Sequence, residues 1–278
     1  MFPWSSNILD LRPDEYFDDR TRISHSMARV GYRSPEELSL QLAGWKKGTD
    51  TEATFNGKAF HMALLEPERY NQVYLVLDDT ATINAIGGAS PRSTNRYKEY
   101  IAAVRGEADR TGKTIISLEQ HNINQAMVDK VMGIPVLKGF LDNSITELVV
   151  EGTTRNGQIP TRGMIDCTDG LTYVLDVKKV HIGHNLMGFS YEELNRYIDE
   201  MDYDGQLYHY GHLLNIQQRY ILFVMDEYPY STALVLLAPS TVLRGQAKHE
   251  RFIAHLAQNF HLATMTLKTT PFTVQLSV

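Results

Sequence analysis

The sequence predicts an α/β (α+β) fold: a central mixed β-sheet flanked by helices, in one domain over residues 1–278. The expected division is a helical N-terminal part to about residue 145 and a sheet core from about 146 to 260. Three observations predict it. Apolar residues recur at helical spacing through much of the first half. Short apolar runs joined by Gly-containing turns cluster between Leu148 and Val177. Beyond them, helical stretches, two strong strand runs and a long helical stretch follow one another, an order expected of a mixed sheet with helices packed on it. At 278 residues the chain is long enough for a sizeable core, against a prior of about 100–200 residues per domain.

Along the chain, a first helix is expected from Ser24 or Ser26, with Ser as its N-cap. Arg33 to Lys47 continues the helical spacing after Ser34-Pro35. A further helix runs from Ala53 towards Tyr70, where Pro67 should end or redirect it. Ile86 to Ser93 is small and turn-rich and reads as a mobile loop, and a charged segment spans Arg96 to Lys113. A short strand is expected at Thr114 to Leu118 and a helix at about Asn122 to Met132. Leu148 to Glu151, Arg162 to Cys167 and Leu171 to Val177 read as strands. Helices are expected near Tyr191 to Met201 and Tyr203 to Gln218, strands at Ile221 to Met225 and Thr232 to Leu237, and a helix from Leu243 to Asn259. No repeat, low-complexity tract or linker stands out.

The composition excludes several classes of function. Runs such as Ala233 to Ala238 fall far short of the roughly 18 apolar residues of a membrane span. Met1 to Asp10 has no secretory pattern, so a cytoplasmic protein is expected. One cysteine, Cys167, rules out an internal disulfide, a four-cysteine iron–sulfur cluster and a Cys-based zinc site. A metal must therefore sit on oxygen and imidazole. The net charge of −6, from 27 Lys+Arg against 33 Asp+Glu, argues against non-specific coating of nucleic acid, which depends on cations neutralising phosphates. It leaves room for a carboxylate metal site beside a confined basic surface.

The stretch richest in chemistry is Arg162-Gly163-Met164-Ile165-Asp166, ten residues ahead of Asp176-Val177-Lys178. In a strand Asp176 and Lys178 share one face with Val177 on the other. If the strand ending near Asp166 pairs with the next through the turn at Asp169-Gly170, two carboxylates and an ammonium converge. Carboxylates hold a hard cation, the cation activates water and neutralises phosphoryl charge, and a lysine orients the nucleophile or stabilises the transition state. An Asp-x-Lys alone is more often a solvated ion pair. Its company here is Glu147 at the start of an apolar strand, Gln206 and Tyr210 one helical turn apart, and His61 on a helix near the front.

With these residues in this order the chain resembles the PD-(D/E)XK nuclease superfamily, within its RecB-like set the RecE-type (exonuclease VIII) group of phage recombination exonucleases. The resemblance runs from about Ile23 to Phe260. It is carried by Ile23 to Ser26, by GKAFHMALLEPERY from Gly57 to Tyr70 and by Thr111-Gly112-Lys113. Glu147, RGMID, LDVKK, Tyr203 with Gln206 and Tyr210, and Tyr228-Pro229-Tyr230 complete it. It implies a PD-(D/E)XK core in which His61, Asp166, Asp176 and the Val177 carbonyl bind Mg²⁺ or Mn²⁺ and Lys178 is the catalytic lysine. Glu147 would be a further ligand or a supporting acid, with Gln206 and Tyr210 steadying the site and touching DNA. The chain departs from the family at Met164-Ile165-Asp166, where Arg-Pro-Asp or a similar triplet is usual, and at Lys179, where Thr is frequent. Neither change removes a ligand.

Blander readings compete at several positions. His61 on an apolar helix is, taken alone, an ordinary core histidine, and Glu151 competes with Glu147. Gly112-Lys113-Thr114 lacks a glycine at the phosphate-loop spacing, so no nucleotide cofactor is expected. The pairs His181/His184 and His209/His212 have zinc-like spacing without a third ligand and read as surface residues. Ser24 and Ser26 could present helix amides to a 5′-phosphate or serve as an N-cap. Arg96, in the basic stretch from Arg92 to Lys113, suits a DNA backbone or a solvated helix face. The resulting expectation is a metal-dependent exonuclease acting on double-stranded DNA ends, 5′ to 3′, leaving 3′ strands for recombination. The resemblance further implies a homo-oligomeric ring and a single-strand annealing partner. The alternatives are an inactive or regulatory nucleic-acid-binding relative and an endonuclease of the same superfamily.

Overall fold

The computed structural model describes residues 7–9, 16, 20–44, 51–154, 159–181, 190–261 and 266–267. Its centre is a six-stranded sheet in the order β1-β4-β5-β6-β7-β8. The strands are β1 (Asn7–Leu9), β4 (Ile145–Thr153), β5 (Pro160–Thr168), β6 (Tyr173–Val180), β7 (Gln218–Met225) and β8 (Thr232–Leu236). Neighbours are antiparallel except β6 and β7, which run parallel from Tyr173↔Gln218 to Val180↔Met225. That parallel step needs a crossover. It is made by α9 (Tyr191–Glu200) and α10 (Tyr203–Leu214). Ser190 and Glu193 form a reciprocal capping box at the start of α9, and α10 stops at Asn215 in the left-handed conformation, short of the Gln218 expected from its pattern.

Helices cover both faces. Leu148, Val150, Ile165, Val174, Ile221 and Phe223 pack against Leu194 and Ile198 of α9 and Leu207, Tyr210 and Leu213 of α10. Gly163 lets α10 approach closely there, since a Cβ would stand 3.0 Å from both Leu213 and Tyr210 and press on them. On the other face Cys167, Leu175, Val177, Leu222 and Val224 pack on α3 (Glu52–Leu65) and α7 (Leu118–Met132) through Phe60, Leu64, Met127 and Val131. Phe60 is fully buried; removing such a side chain from water is worth about 1.5–3 kcal/mol and anchors the turn that carries His61. A third cluster joins α1 (His25–Arg33) and α2 (Pro35–Leu42) to α11 (Pro239–Asn259) through Ala28, Leu38, Phe252 and Leu256.

The N-terminal part is less purely helical than its sequence predicts. β1 adds an edge strand to the central sheet. A separate parallel pair, β2 (Tyr74–Leu77) with β3 (Thr114–Ser117), flanks a helical excursion of α5 (Thr80–Ile86), a short 3₁₀ turn at Pro91–Ser93 and α6 (Asn95–Thr111). Part of the expected loop at 86–93 is therefore ordered as helix. Pro67 ends α3 and at once opens α4 (Pro67–Val73), because its missing N–H costs nothing at the first helical position. α8 (Pro135–Asp142) starts the same way. A two-stranded pair, β9 (Phe260–His261) with β10 (Thr266–Leu267), follows α11. None of the described helices is long and apolar enough to cross a membrane.

Candidate functional site

The site forms where the sheet loses its regularity. β4 and β5 pair from Ile145↔Thr168 to Thr153↔Pro160, with the ladder interrupted between Glu147 and Asp166. Glu147 has φ +52°, a left-handed conformation that a non-glycine residue adopts at a cost. The facing of side chains switches at the same place. Ile165 belongs to the core under α10, whereas Cys167, two residues on, belongs to the core under α3. β5 and β6 also separate here, pairing only at Cys167↔Leu175 and Thr168↔Val174. In place of the next ladder bond, Asp166 Oδ2 accepts the Val177 backbone N–H at 2.7 Å.

Into this opening α3 sends His61. Its Nε2 lies 2.6 Å from the Val177 carbonyl oxygen, so Nε2 is the donor and Nδ1 keeps its lone pair, 3.7 Å from Asp166 Oδ2. Burial and then the Lys178 ammonium hold the imidazole well below its usual value, at about 4, and the ring is neutral and fit to ligate. Among the described residues His61, Glu147 and Asp166 form the one group of three side chains whose ligand atoms all lie within 4.8 Å of one another.

The Asp176 carboxylate is fully buried on the α9/α10 face, beside Lys178. Lys178 Nζ donates to Asp176 Oδ1 at 3.0 Å and stands 4.9 Å from the centre of the Tyr203 ring. Asp176 Oδ2 is 2.9 Å from the same ammonium, off the hydrogen-bond direction, and has no hydrogen-bond partner. Four acidic groups crowd the opening, and their proton affinities show it. Burial, then Asp166 and Glu66, push Glu147 up to about 8. Burial raises Asp176 to about 6 against the pull of Lys178, and burial also raises Asp166. Burial opposes the charge on Lys178, but Asp176 and Asp166 outweigh it and raise that group. The lysine is a cation, and the carboxylates lack enough positive charge around them. Hard oxygens with one neutral imidazole, including an orphaned buried carboxylate oxygen, fit a divalent cation such as Mg²⁺ or Mn²⁺.

A cleft of about 750 Å³ opens on this cluster, lined among others by Lys58, His61, Arg69, Glu147, Lys178 and Tyr203. Glu151 stays outside, paired with Arg22 at 2.9 Å. Gln206 Nε2 donates to the Tyr210 hydroxyl at 2.7 Å, and burial followed by the Asp176 charge drives that phenol well above its usual range. The pair thus backs the carboxylates from α10. Ser24 and Ser26 are bonded to each other at 3.0 Å, and Ser24 Oγ caps α1 by accepting the Met27 N–H. Arg96 is exposed on α6, and none of these three lines the cleft. Lys179 is paired with Asp226 at 3.1 Å. His209 is buried rather than a surface residue: its Nε2 lies 2.9 Å from the Arg162 carbonyl. His184 lies outside the described residues.

Glu66, Arg69 and Lys58 also line the cleft, and the only sequence signal for them is their place in the Gly57–Tyr70 segment.

Residues 24–262 match the family described as "PDDEXK-like domain of unknown function (DUF3799)". No curated protein matches the chain. Among solved structures, a "Putative exonuclease" from Eubacterium rectale superposes with a TM-score of 0.58 at 10% identity, over 89% of this chain and 86% of that one. At that identity the likeness concerns the fold. A "phage related exonuclease" from Haemophilus somnus 129PT is 14% identical over 68% of this chain and 96% of that one, with a TM-score of 0.32.

Proposed function

The chain belongs to the PDDEXK-like family DUF3799, and from that premise we propose that it is a divalent-metal-dependent deoxyribonuclease, an exonuclease working 5′ to 3′ from double-stranded DNA ends. The observation that carries the reading is the convergence of His61, Glu147 and Asp166 on the opening where the Asp176–Lys178 pair sits. His61, Asp166 and Asp176, with the Val177 carbonyl and Glu147, would hold the cation. When bound, Mg²⁺ or Mn²⁺ supplies positive charge to the phosphoryl oxygens and makes water a better nucleophile.

The chain's own groups do the rest. The Val177 N–H holds Asp166 Oδ2, the oxygen that faces His61 Nδ1 at 3.7 Å, in place. The Val177 carbonyl sets the His61 tautomer. Lys178, kept charged by Asp176 and Asp166, orients the attacking water and meets negative charge on the phosphoryl group. Glu147, which crowding keeps protonated at neutral pH in the absence of a cation, would join the ligands on losing that proton. The family resemblance supports the polarity, the 3′-strand product for recombination, a ring of several copies and a single-strand annealing partner.

The test is digestion of linear duplexes labelled at the 5′ or the 3′ end, with and without Mg²⁺, beside closed circular DNA. Metal-dependent release from the 5′ end with the circle intact is the expected result. Cutting of the circle would replace this reading with an endonuclease, and binding without cleavage would replace it with an inactive relative.

A further inference from the structure

Two grooves meet at the site. The cleft over the carboxylates shares Glu66 and Arg69 with a second groove of about 660 Å³, lined by Leu65, Gln72 and Thr146 as well. Thr146 and Glu147, adjacent in β4, thus face one groove each. Arg69 is the one arginine among the described residues lining either, and it stands where they join. It is half-buried and held by Glu66, with Nη1 3.2 Å from Oε1 and 3.0 Å from Oε2.

Helix stability gains little from an arginine at this point, since the Glu66–Arg69 pair, three residues apart, contributes about 0.2–0.5 kcal/mol. Arg69 is the third residue of α4, and a cation in the first turn opposes the backbone dipole. Both members of the pair act on the cluster, since Glu66 raises and Arg69 lowers the proton affinity of Glu147. A planar guanidinium parked on a carboxylate at a groove junction is suited to exchange that carboxylate for another planar or tetrahedral oxyanion.

We infer that Arg69 is a substrate-binding residue that leaves Glu66 to take the non-bridging oxygens of a DNA phosphate passing from one groove to the other beside the metal cluster. This rests on the nuclease reading and deepens it: the strand runs along both grooves, and Glu66 holds the guanidinium ready when DNA is absent. The pairing also keeps an uncompensated cation out of an empty groove.

The test compares wild type with Arg69→Ala, Arg69→Lys and Glu66→Gln, using a 5′-phosphorylated duplex with Ca²⁺ for binding and Mg²⁺ for turnover. Loss of one charge-assisted contact predicts an affinity about 10–100-fold weaker in Arg69→Ala. KM should rise while kcat changes far less. The slope of log affinity against log salt should fall by about one unit, which a purely structural role would not produce. Arg69→Lys should restore the salt slope and part of the affinity, and Glu66→Gln should bind duplex at least as tightly as wild type. Mn²⁺ affinity measured without DNA should not fall in Arg69→Ala, because the guanidinium opposes a second cation at the cluster. Unchanged duplex affinity and salt slope in Arg69→Ala, beside an active wild type, overturn this inference and leave the nuclease reading standing. A wild type that neither binds nor cuts duplex overturns both.

Discussion

Asp166 accepts the backbone N–H of Val177 across the gap between β5 and β6, at 2.7 Å. One carboxylate oxygen thereby replaces a sheet hydrogen bond and ties a candidate ligand to the strand that carries Asp176 and Lys178. Two substitutions separate the two roles. Asp166→Asn keeps an acceptor for Val177 and removes a charge that burial disfavours. Its metal-free stability should equal or exceed wild type, while turnover falls by about 100-fold or more. Asp166→Ala leaves the Val177 N–H without its acceptor and should cost a further ~1–3 kcal/mol in urea unfolding. Equal stability of the two variants would show that the bond does not hold the strands.

The pH dependence of metal-free stability follows from Glu147, whose proton affinity rises from 4.5 to about 8 on folding. Between those values the folded chain keeps a proton the unfolded chain has lost, so stability falls as pH rises through that window. Asp176, raised from 3.8 to about 6, acts in the same direction lower down. A divalent cation displaces these protons, so Mn²⁺ affinity should climb with pH and level off near 8. Chemical unfolding with a chelator from pH 6.5 to 9 reads the first effect, and Glu147→Gln should flatten the slope. A wild-type slope of the opposite sign would contradict the crowding of carboxylates described above.

Lys178 is the only hydrogen-bond donor to Asp176 among the described residues. Lys178→Ala strands a fully buried carboxylate, and breaking a buried pair in this way costs about 3–5 kcal/mol. The loss should be full at pH 8 and smaller at pH 5, where Asp176 takes a proton. Lys178→Ala and Asp176→Ala should each abolish metal-dependent nucleotide release. Intact release in either variant would remove the pair from the chemistry.

The pattern in the sequence that points to this site is local. Alternation along one strand placed Asp176 and Lys178 together, and the structure has them hydrogen-bonded. The irregularity that collects Glu147, Asp166 and His61 has no such signature. A left-handed Glu147 and a reversal of facing between Ile165 and Cys167 depend on how three strands and α3 meet. β2 was invisible for a similar reason. Tyr74–Leu77 is four apolar residues following a helix without a turn, and its partner β3 lies forty residues on, where no sequence window spans both. At Pro67 the sequence allows an end or a redirection of the helix, and the packing of Tyr70 and Tyr74 with Ala63 and Ile116 shows why it is a redirection. The helix of His209 is buried nearly all round, between β5 and α11, so polar residues on it do not mark a solvent face and the HxxH spacing is no sign of exposure.

That buried histidine has a consequence at low pH. His209 packs 4.8 Å from His249, ring centre to ring centre, and His249 Nδ1 lies 3.1 Å from His25 Nδ1, whose own Nε2 is 2.8 Å from Asp202. Burial first, and then the neighbouring imidazoles, hold His249 well below 6.5. For His209, burial outweighs the Arg162 carbonyl and brings it to about 3. A histidine kept neutral in the folded state takes a proton on unfolding, so this core contributes stability above pH 6.5 that is lost as pH falls towards 3. The direction is opposite to that of the carboxylates, and metal-free stability should therefore pass through a maximum near about pH 6.5 rather than continue to rise with acid. His209→Gln keeps a donor for the Arg162 carbonyl without the titrating ring, and should leave a shallower decline below pH 6 in guanidinium unfolding. The same variant should keep the wild-type slope above pH 7, since the groups titrating there belong to the metal cluster. An unchanged acid limb would mean that His249 and His61 account for it without His209.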